Sequence, residues 1–135
     1  MSFSTSFMNF EETGKFSALV LDYLKADKSL APFYNQPATL DGIQKTIEER
    51  KSFKTDRKLL VEQLKFQYRN VTLSGLQISY LEKLLQENTF TITTAHQPNI
   101  FTGHLYFIYK IIHAIKMADE LQKLLPENNF VPVYY

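Results

Sequence analysis

The sequence contains no cysteine, which excludes a disulfide framework, a thiolate metal site and a cysteine nucleophile. Long apolar runs are missing too: no stretch approaches the roughly 20 residues needed to span a bilayer. The opening residues, Met1-Ser-Phe-Ser-Thr-Ser-Phe-Met8, offer neither a basic segment nor a continuous apolar one, so they do not read as a signal peptide. Charge of one sign is not in excess. A formal net charge of +1 creates no global field that would recruit nucleic acid or acidic membranes. The only basic cluster, Arg50 to Lys58, reads as a solvated helix junction. Neither a Walker A loop nor a G-x-G-x-x-G fingerprint is present, and the spacing of His96, His104 and His113 matches no zinc signature. A cytoplasmic protein without metal, nucleic-acid or membrane partners is the expectation.

The chain has 44% hydrophobic and 21% charged residues, ordinary for a globular protein. At 135 residues it can bury a sizeable core. Residues from about 14 to 88 read as helical. Phe16, Leu19, Val20, Tyr23 and Leu24 follow helical spacing, and the proline-containing segment 31–37 interrupts it. Thr39, then Thr55 or Asp56, then Ser74 stand where N-caps of three further helices belong. Leu60, Val61, Leu64 and Tyr68 share one helical face, and Leu76, Tyr80, Leu81, Leu84 and Leu85 share another.

From Thr89 the pattern changes to strand, loop, helix, strand. Phe90 to Ala95 reads as a buried strand, 103–125 as a long helix with a broad apolar face, and Phe130 to Tyr135 as a second strand. Leu105, Phe107, Ile108, Ile111, Ile112, Ile115, Ala118, Leu121 and Leu125 make up that face. The fold class is therefore α/β: an N-terminal helical segment, 1–88, followed over 89–135 by one βαβ unit with two parallel strands. Parallel sheets are covered on both faces and contain more than two strands. One crossover ending inside its second strand leads to the expectation of a truncated sheet, the N-terminal part of something larger.

The loop between that strand and helix is where chemistry is expected. Free backbone N–H groups at a helix start, together with the helix dipole, favour an anion there. His96 either hydrogen-bonds a phosphate or carboxylate, acts as an acid–base group, or organises the loop. Gln97 and Asn99 either read an amide or sugar hydroxyl or hold the loop's own backbone. Thr102 is a ligand hydroxyl or the N-cap of a helix opening at Gly103, and Gly103 lets backbone approach closely. His104 would place a charge where the dipole opposes a cation. Lys110, two turns into the helix, is a snorkelling surface lysine or a buried anion partner, and His113 is a surface residue.

The block Thr94-Ala-His-Gln-Pro-Asn-Ile-Phe-Thr-Gly-His-Leu-Tyr-Phe-Ile-Tyr-Lys110 resembles the signature of the cysteine-adding enzymes of bacillithiol biosynthesis. Phe130-Val-Pro-Val-Tyr-Tyr135 resembles the family's next strand. Leu21-Asp-Tyr-Leu24, Pro32-Phe-Tyr-Asn35, Arg57-Lys-Leu-Leu60 and Leu64-Lys-Phe-Gln67 resemble its helical segment more weakly. Two positions depart from the pattern: Ala95 replaces the usual glycine, and His104 replaces a proline.

The resemblance implies a Rossmann-like core and a ligase that adds cysteine to the amino sugar of glucosaminyl malate. It also implies homodimerisation of the full-length enzyme. Its activating cosubstrate, a nucleotide in most amide-forming ligases, is not legible in these residues. Thr94, His96, Gln97, Asn99, Thr102, Gly103 and Lys110 become the substrate- or nucleotide-binding candidates, and the chain alone is expected to be inactive. The competing expectation is a non-enzymatic helical interaction module in which residues 14–88 dock a partner.

Overall fold

A computed structural model describes residues 4–97 and 103–135. Five α-helices and two strands follow in the order α1 (Ala18–Leu24), α2 (Leu40–Lys51), α3 (Arg57–Gln67), α4 (Gly75–Lys83), β1 (Thr89–Thr94), α5 (Leu105–Leu124) and β2 (Asn129–Tyr134). A short 3-10 helix, Lys28–Phe33, lies between α1 and α2. Two compact units divide the chain, Met1–Glu49 and Arg50–Tyr135, and the division falls within α2. The change of pattern at Thr89 is thus a change of element type, and α3 and α4 belong to the same compact unit as the sheet.

In the first unit the 3-10 helix carries Pro32, and Asp27 caps it by accepting from the Ser29 N–H. The side chains of Asn35 and Gln36 both donate to the Glu49 carboxylate, at 2.6 and 2.8 Å. Thr39 caps α2 through the Gly42 N–H at 3.1 Å. Gly42 is required sterically, because a Cβ there would lie 2.0 Å from the Pro37 carbonyl oxygen.

The second unit contains the sheet. Asp56, the alternative to Thr55, caps α3 by accepting from the Leu59 N–H. Ser74 and Gln77 form a reciprocal capping box on α4. Strands β1 and β2 pair in parallel, with Thr89 opposite Asn129 and Thr94 opposite Tyr134. Val61 of α3, Leu81 of α4, Leu84 and Val131 of β2 form a buried core, extended by Leu64, Leu73, Tyr80 and Val133. Helix α5 buries Ala114, Ala118 and Leu121, and Leu125 follows one turn later.

Burial is thinner than the apolar pattern at two places, and for β1 this corrects an expectation. The apolar face of α5 is not buried along its width, since Leu105, Ile108, Ile112 and Ile115 remain 39–66% exposed. Strand β1 is half-covered rather than buried, with Thr91 and Thr93 exposed. Both departures have one cause. A two-stranded sheet is too narrow to cover a wide helical face, and α5 covers only one face of the strands.

Register also places Pro132. Asn129 and Tyr135 send their N–H groups to the carbonyls of Asn88 and Thr94, and the His96 N–H reaches the Tyr135 carbonyl. Odd-numbered residues of β2 therefore face β1. Pro132, which has no N–H, falls on the opposite edge. Among the described residues, no helix is long and apolar enough to cross a membrane.

Candidate functional site

The two strands end in parallel, so their carboxyl ends and the start of α5 meet at one edge of the sheet. Crevices of this kind are where open α/β sheets bind ligands. The geometry begins at Gly103, whose φ of +64° lies in the left-handed region that favours glycine. A residue in that conformation cannot be helical. The helix expected to open at Gly103 instead begins at Leu105, with His104 as its extended N-cap residue. The capping role assigned to Thr102 therefore falls to position 104, and the His104 side chain makes no cap hydrogen bond. Asn99 and Thr102 themselves lie outside the described residues, as does every residue from 98 to 102.

His96, half-buried just past the end of β1, is held from several directions. Its Nδ1 lies 2.9 Å from the Gln97 carbonyl oxygen. Its Nε2 is hydrogen-bonded to the Tyr106 hydroxyl. The Phe107 ring meets the imidazole edge-on, with centroids 5.6 Å apart. From β2, the Tyr134 hydroxyl donates to the His96 carbonyl at 2.9 Å, and the Tyr134 ring packs at right angles against Phe107. His104 stacks almost parallel on Tyr106, at 5.8 Å and 14°.

These contacts constrain the protons. A carbonyl can only accept, so Nδ1 carries a hydrogen and donates it to Gln97. In the neutral imidazole Nε2 is then a lone pair, and it accepts the Tyr106 hydroxyl proton.

Lys110 lies on the α5 face that looks back to the strand end. Its ammonium is exposed, as a surface lysine's would be, but it is fixed by donation to the Ala95 carbonyl at 2.6 Å. One of its three protons is used there, and the charge stays beside the strand end. The first backbone N–H groups of α5 lack intrahelical acceptors and add partial positive charge to the same edge. Thr94 lies at the last position of β1, where its carbonyl accepts from the Tyr135 N–H. His113 is exposed, as expected.

The described candidates Thr94, His96, Gln97, Gly103 and Lys110 thus gather at one edge. Sequence reasoning missed Tyr106, Phe107 and Tyr134. The available signal was helical phase: Tyr106 and Lys110, four residues apart, share a face of α5, and both reach back to the strand end. Among the described residues, no group of three or more His, Asp or Glu side chains is placed to hold a metal ion.

A concavity of about 340 Å³ lies between α3, α4 and β2. Leu64, Leu73, Leu81, Leu84, Val131 and Val133 give it an apolar wall, and no charged side chain lines it. The strand-end edge is the chemically equipped one.

The comparisons with known proteins agree with this architecture. Residues 3–135 match the family model described as "Bacillithiol biosynthesis BshC, N-terminal Rossmann-like domain". A Flavobacterium johnsoniae protein named "Putative cysteine ligase BshC" is 44% identical over 133 residues. Its namesakes from Flavobacterium psychrophilum and Christiangramia forsetii are 42% and 41% identical. Each alignment covers 97% of this chain and 25% of the relative, so the chain spans about a quarter of the length of these proteins. With almost its whole length matched, the chain belongs to the bacillithiol biosynthesis BshC family and corresponds to that family's N-terminal Rossmann-like domain.

Proposed function

We propose that this chain supplies the ligand-holding edge of a cytoplasmic cysteine ligase, one that joins cysteine to the amino group of glucosaminyl malate. The observation that carries the reading is the convergence of His96, Tyr106 and Lys110 at the carboxyl end of β1, beside the start of α5. A carboxylated or phosphorylated ligand is attracted there by Lys110 and the helix dipole together. His96 and Gln97, with Asn99 and Thr102 of the intervening loop, supply polar groups for orientation. Gly103 keeps the backbone free of a side chain where the ligand enters. The malate carboxylates or the phosphates of an activating nucleotide meet this positive edge, while cysteine and the remaining machinery lie elsewhere in a homodimeric enzyme.

Calorimetric titration of the 135-residue protein with glucosaminyl malate, and separately with ATP, tests the reading. Binding of one of them is expected, weakened about tenfold or more in His96→Ala, which removes the partner that orients Tyr106, and in Gly103→Val, which strains the loop. Lys110→Ala should weaken it by about fivefold or more. The isolated chain should not turn over substrate. Unaltered binding in all three variants would exclude this edge, and the interaction-module reading would then stand.

A further inference from the structure

The proton assignment at His96 bears on what Tyr106 can do. A phenol whose proton is committed to a neutral imidazole presents only lone pairs outward, so its oxygen accepts from whatever meets it. Its partner is therefore a donor. We propose that the Tyr106 hydroxyl receives an N–H of the ligand's amine and that Tyr106 and His96 together remove its proton. This rests on the reading that the edge binds the amino-sugar substrate, and it assigns that substrate's amine to a particular atom.

The step balances without a further reagent. An ammonium gives one proton to the Tyr106 oxygen as the tyrosine's own proton passes to Nε2 of His96. The N–H bond that breaks leaves its electron pair on nitrogen, and the amine becomes a nucleophile. The imidazole becomes an imidazolium whose two N–H groups donate to the Gln97 carbonyl and to Tyr106. Transfer between two adjacent nitrogen bases conserves charge at the site, so the positive potential from Lys110 and the α5 terminus falls on reactant and product alike. That potential still attracts the ligand's carboxylates.

Among the described groups packed about the imidazole, none takes this role from Tyr106. Phe107 is apolar, the Tyr134 proton is committed to the His96 carbonyl, and Lys110 is held by Ala95. His104 lies across Tyr106 and is carried on the helix cap rather than on the strand. Its stacking fixes the phenol ring, so Tyr106→Phe preserves the packing while deleting one oxygen. Proton relay through a tyrosine–histidine pair of this kind is ordinary general-base chemistry.

The test uses the 135-residue protein labelled with ¹⁵N-histidine, titrated with glucosaminyl malate and with its N-acetylated form, which retains the carboxylates but lacks the basic amine. Before ligand, the His96 resonances should report protonated Nδ1 and unprotonated Nε2. Saturation with the amine should move Nε2 to the protonated range, and the N-acetyl form should leave it unmoved. Tyr106→Phe should abolish that shift and reduce the preference for the amine by about tenfold, while carboxylate-driven binding persists. A protonated Nε2 in the free protein, or an unchanged shift in Tyr106→Phe, would overturn the relay and leave the binding site standing. If neither sugar ligand binds the wild-type protein, the relay falls, and the separate ATP titration decides whether the edge binds a ligand at all.

Discussion

The two ends of the β1–β2 pair are built to different plans. At the amino end, backbone is tied to backbone and to side chains that serve it. The Arg57 guanidinium donates to the carbonyls of Leu84, Glu87 and Thr89, at 3.1, 3.2 and 3.1 Å. The Thr89 hydroxyl donates to the Lys83 carbonyl, and the Asn88 amide reaches Glu127 at 2.7 Å. One arginine thus satisfies the C-terminal carbonyls after α4 and the first residue of β1 together. At the carboxyl end the polar groups of the described residues include the imidazoles of His96 and His104, the phenols of Tyr106 and Tyr134 and the Lys110 ammonium. The amino end is thus tied together by hydrogen bonds to backbone carbonyls, whereas the carboxyl end carries the proposed site. The same six-residue strands carry both.

Substitutions that separate the two ends sharpen this contrast. The largest effect is expected from Arg57→Ala, which strips three carbonyls of a charged donor and should cost about 2–4 kcal/mol in chemical denaturation. Ligand affinity per folded molecule should be unchanged. Affinity falling in step with stability would show that the ends are one cooperative unit. Gly103→Val, at the other end, forces a β-branched residue into the left-handed region at a cost of about 1–2 kcal/mol. Its effect should appear chiefly in ligand titration. Ser74→Ala removes half of the α4 capping box and should cost about 1 kcal/mol, with no effect on the strand-end site.

The smallest effect is electrostatic and belongs to Tyr80, beside β2. Burial raises its hydroxyl above the ordinary value of 10.0, and the charge of Asp119 adds to the shift. The unfolded chain therefore ionises first. The contribution to stability is complete below about pH 10 and is lost as pH rises through the folded-state value. Tyr80→Phe should flatten the alkaline limb of the stability–pH curve while leaving the neutral region in place.

Helix starts were the most legible part of the sequence, because capping is local: Thr39, Asp56 and Ser74 each stand where the helix begins. The parallel strand pair followed from periodicity and from the length of the crossover helix. The start of α5 was displaced by two residues because glycine was read as an N-terminal residue, whereas its φ of +64° places it outside the helix. The breadth of the α5 apolar face was legible from periodicity, but which part is covered was not, since periodicity records apolar residues and not the area available to cover them. Arg57 was invisible as a hub: its three acceptors lie 27 to 32 residues away, and nothing local announces them. At the candidate site, His96 and Lys110 were legible from their place in the motif, but Tyr106 was hidden among the aromatic and aliphatic residues of the helix start. A hydroxyl that bonds a residue ten positions earlier is a tertiary fact.

Pro132 gives the sheet a direction in which it resists growth. An extended segment approaching the outer side of β2 finds carbonyls from Phe130, Pro132 and Tyr134, but its central carbonyl meets an imino nitrogen that cannot answer it. The ladder would break after one rung and restart only at the next. Two copies of the chain brought together along that margin, as happens in a concentrated lysate or on partial unfolding, would therefore join by interrupted pairing rather than by a continuous seam. A single ring closure in the middle of β2 thus interrupts any ladder built on that side of the strand.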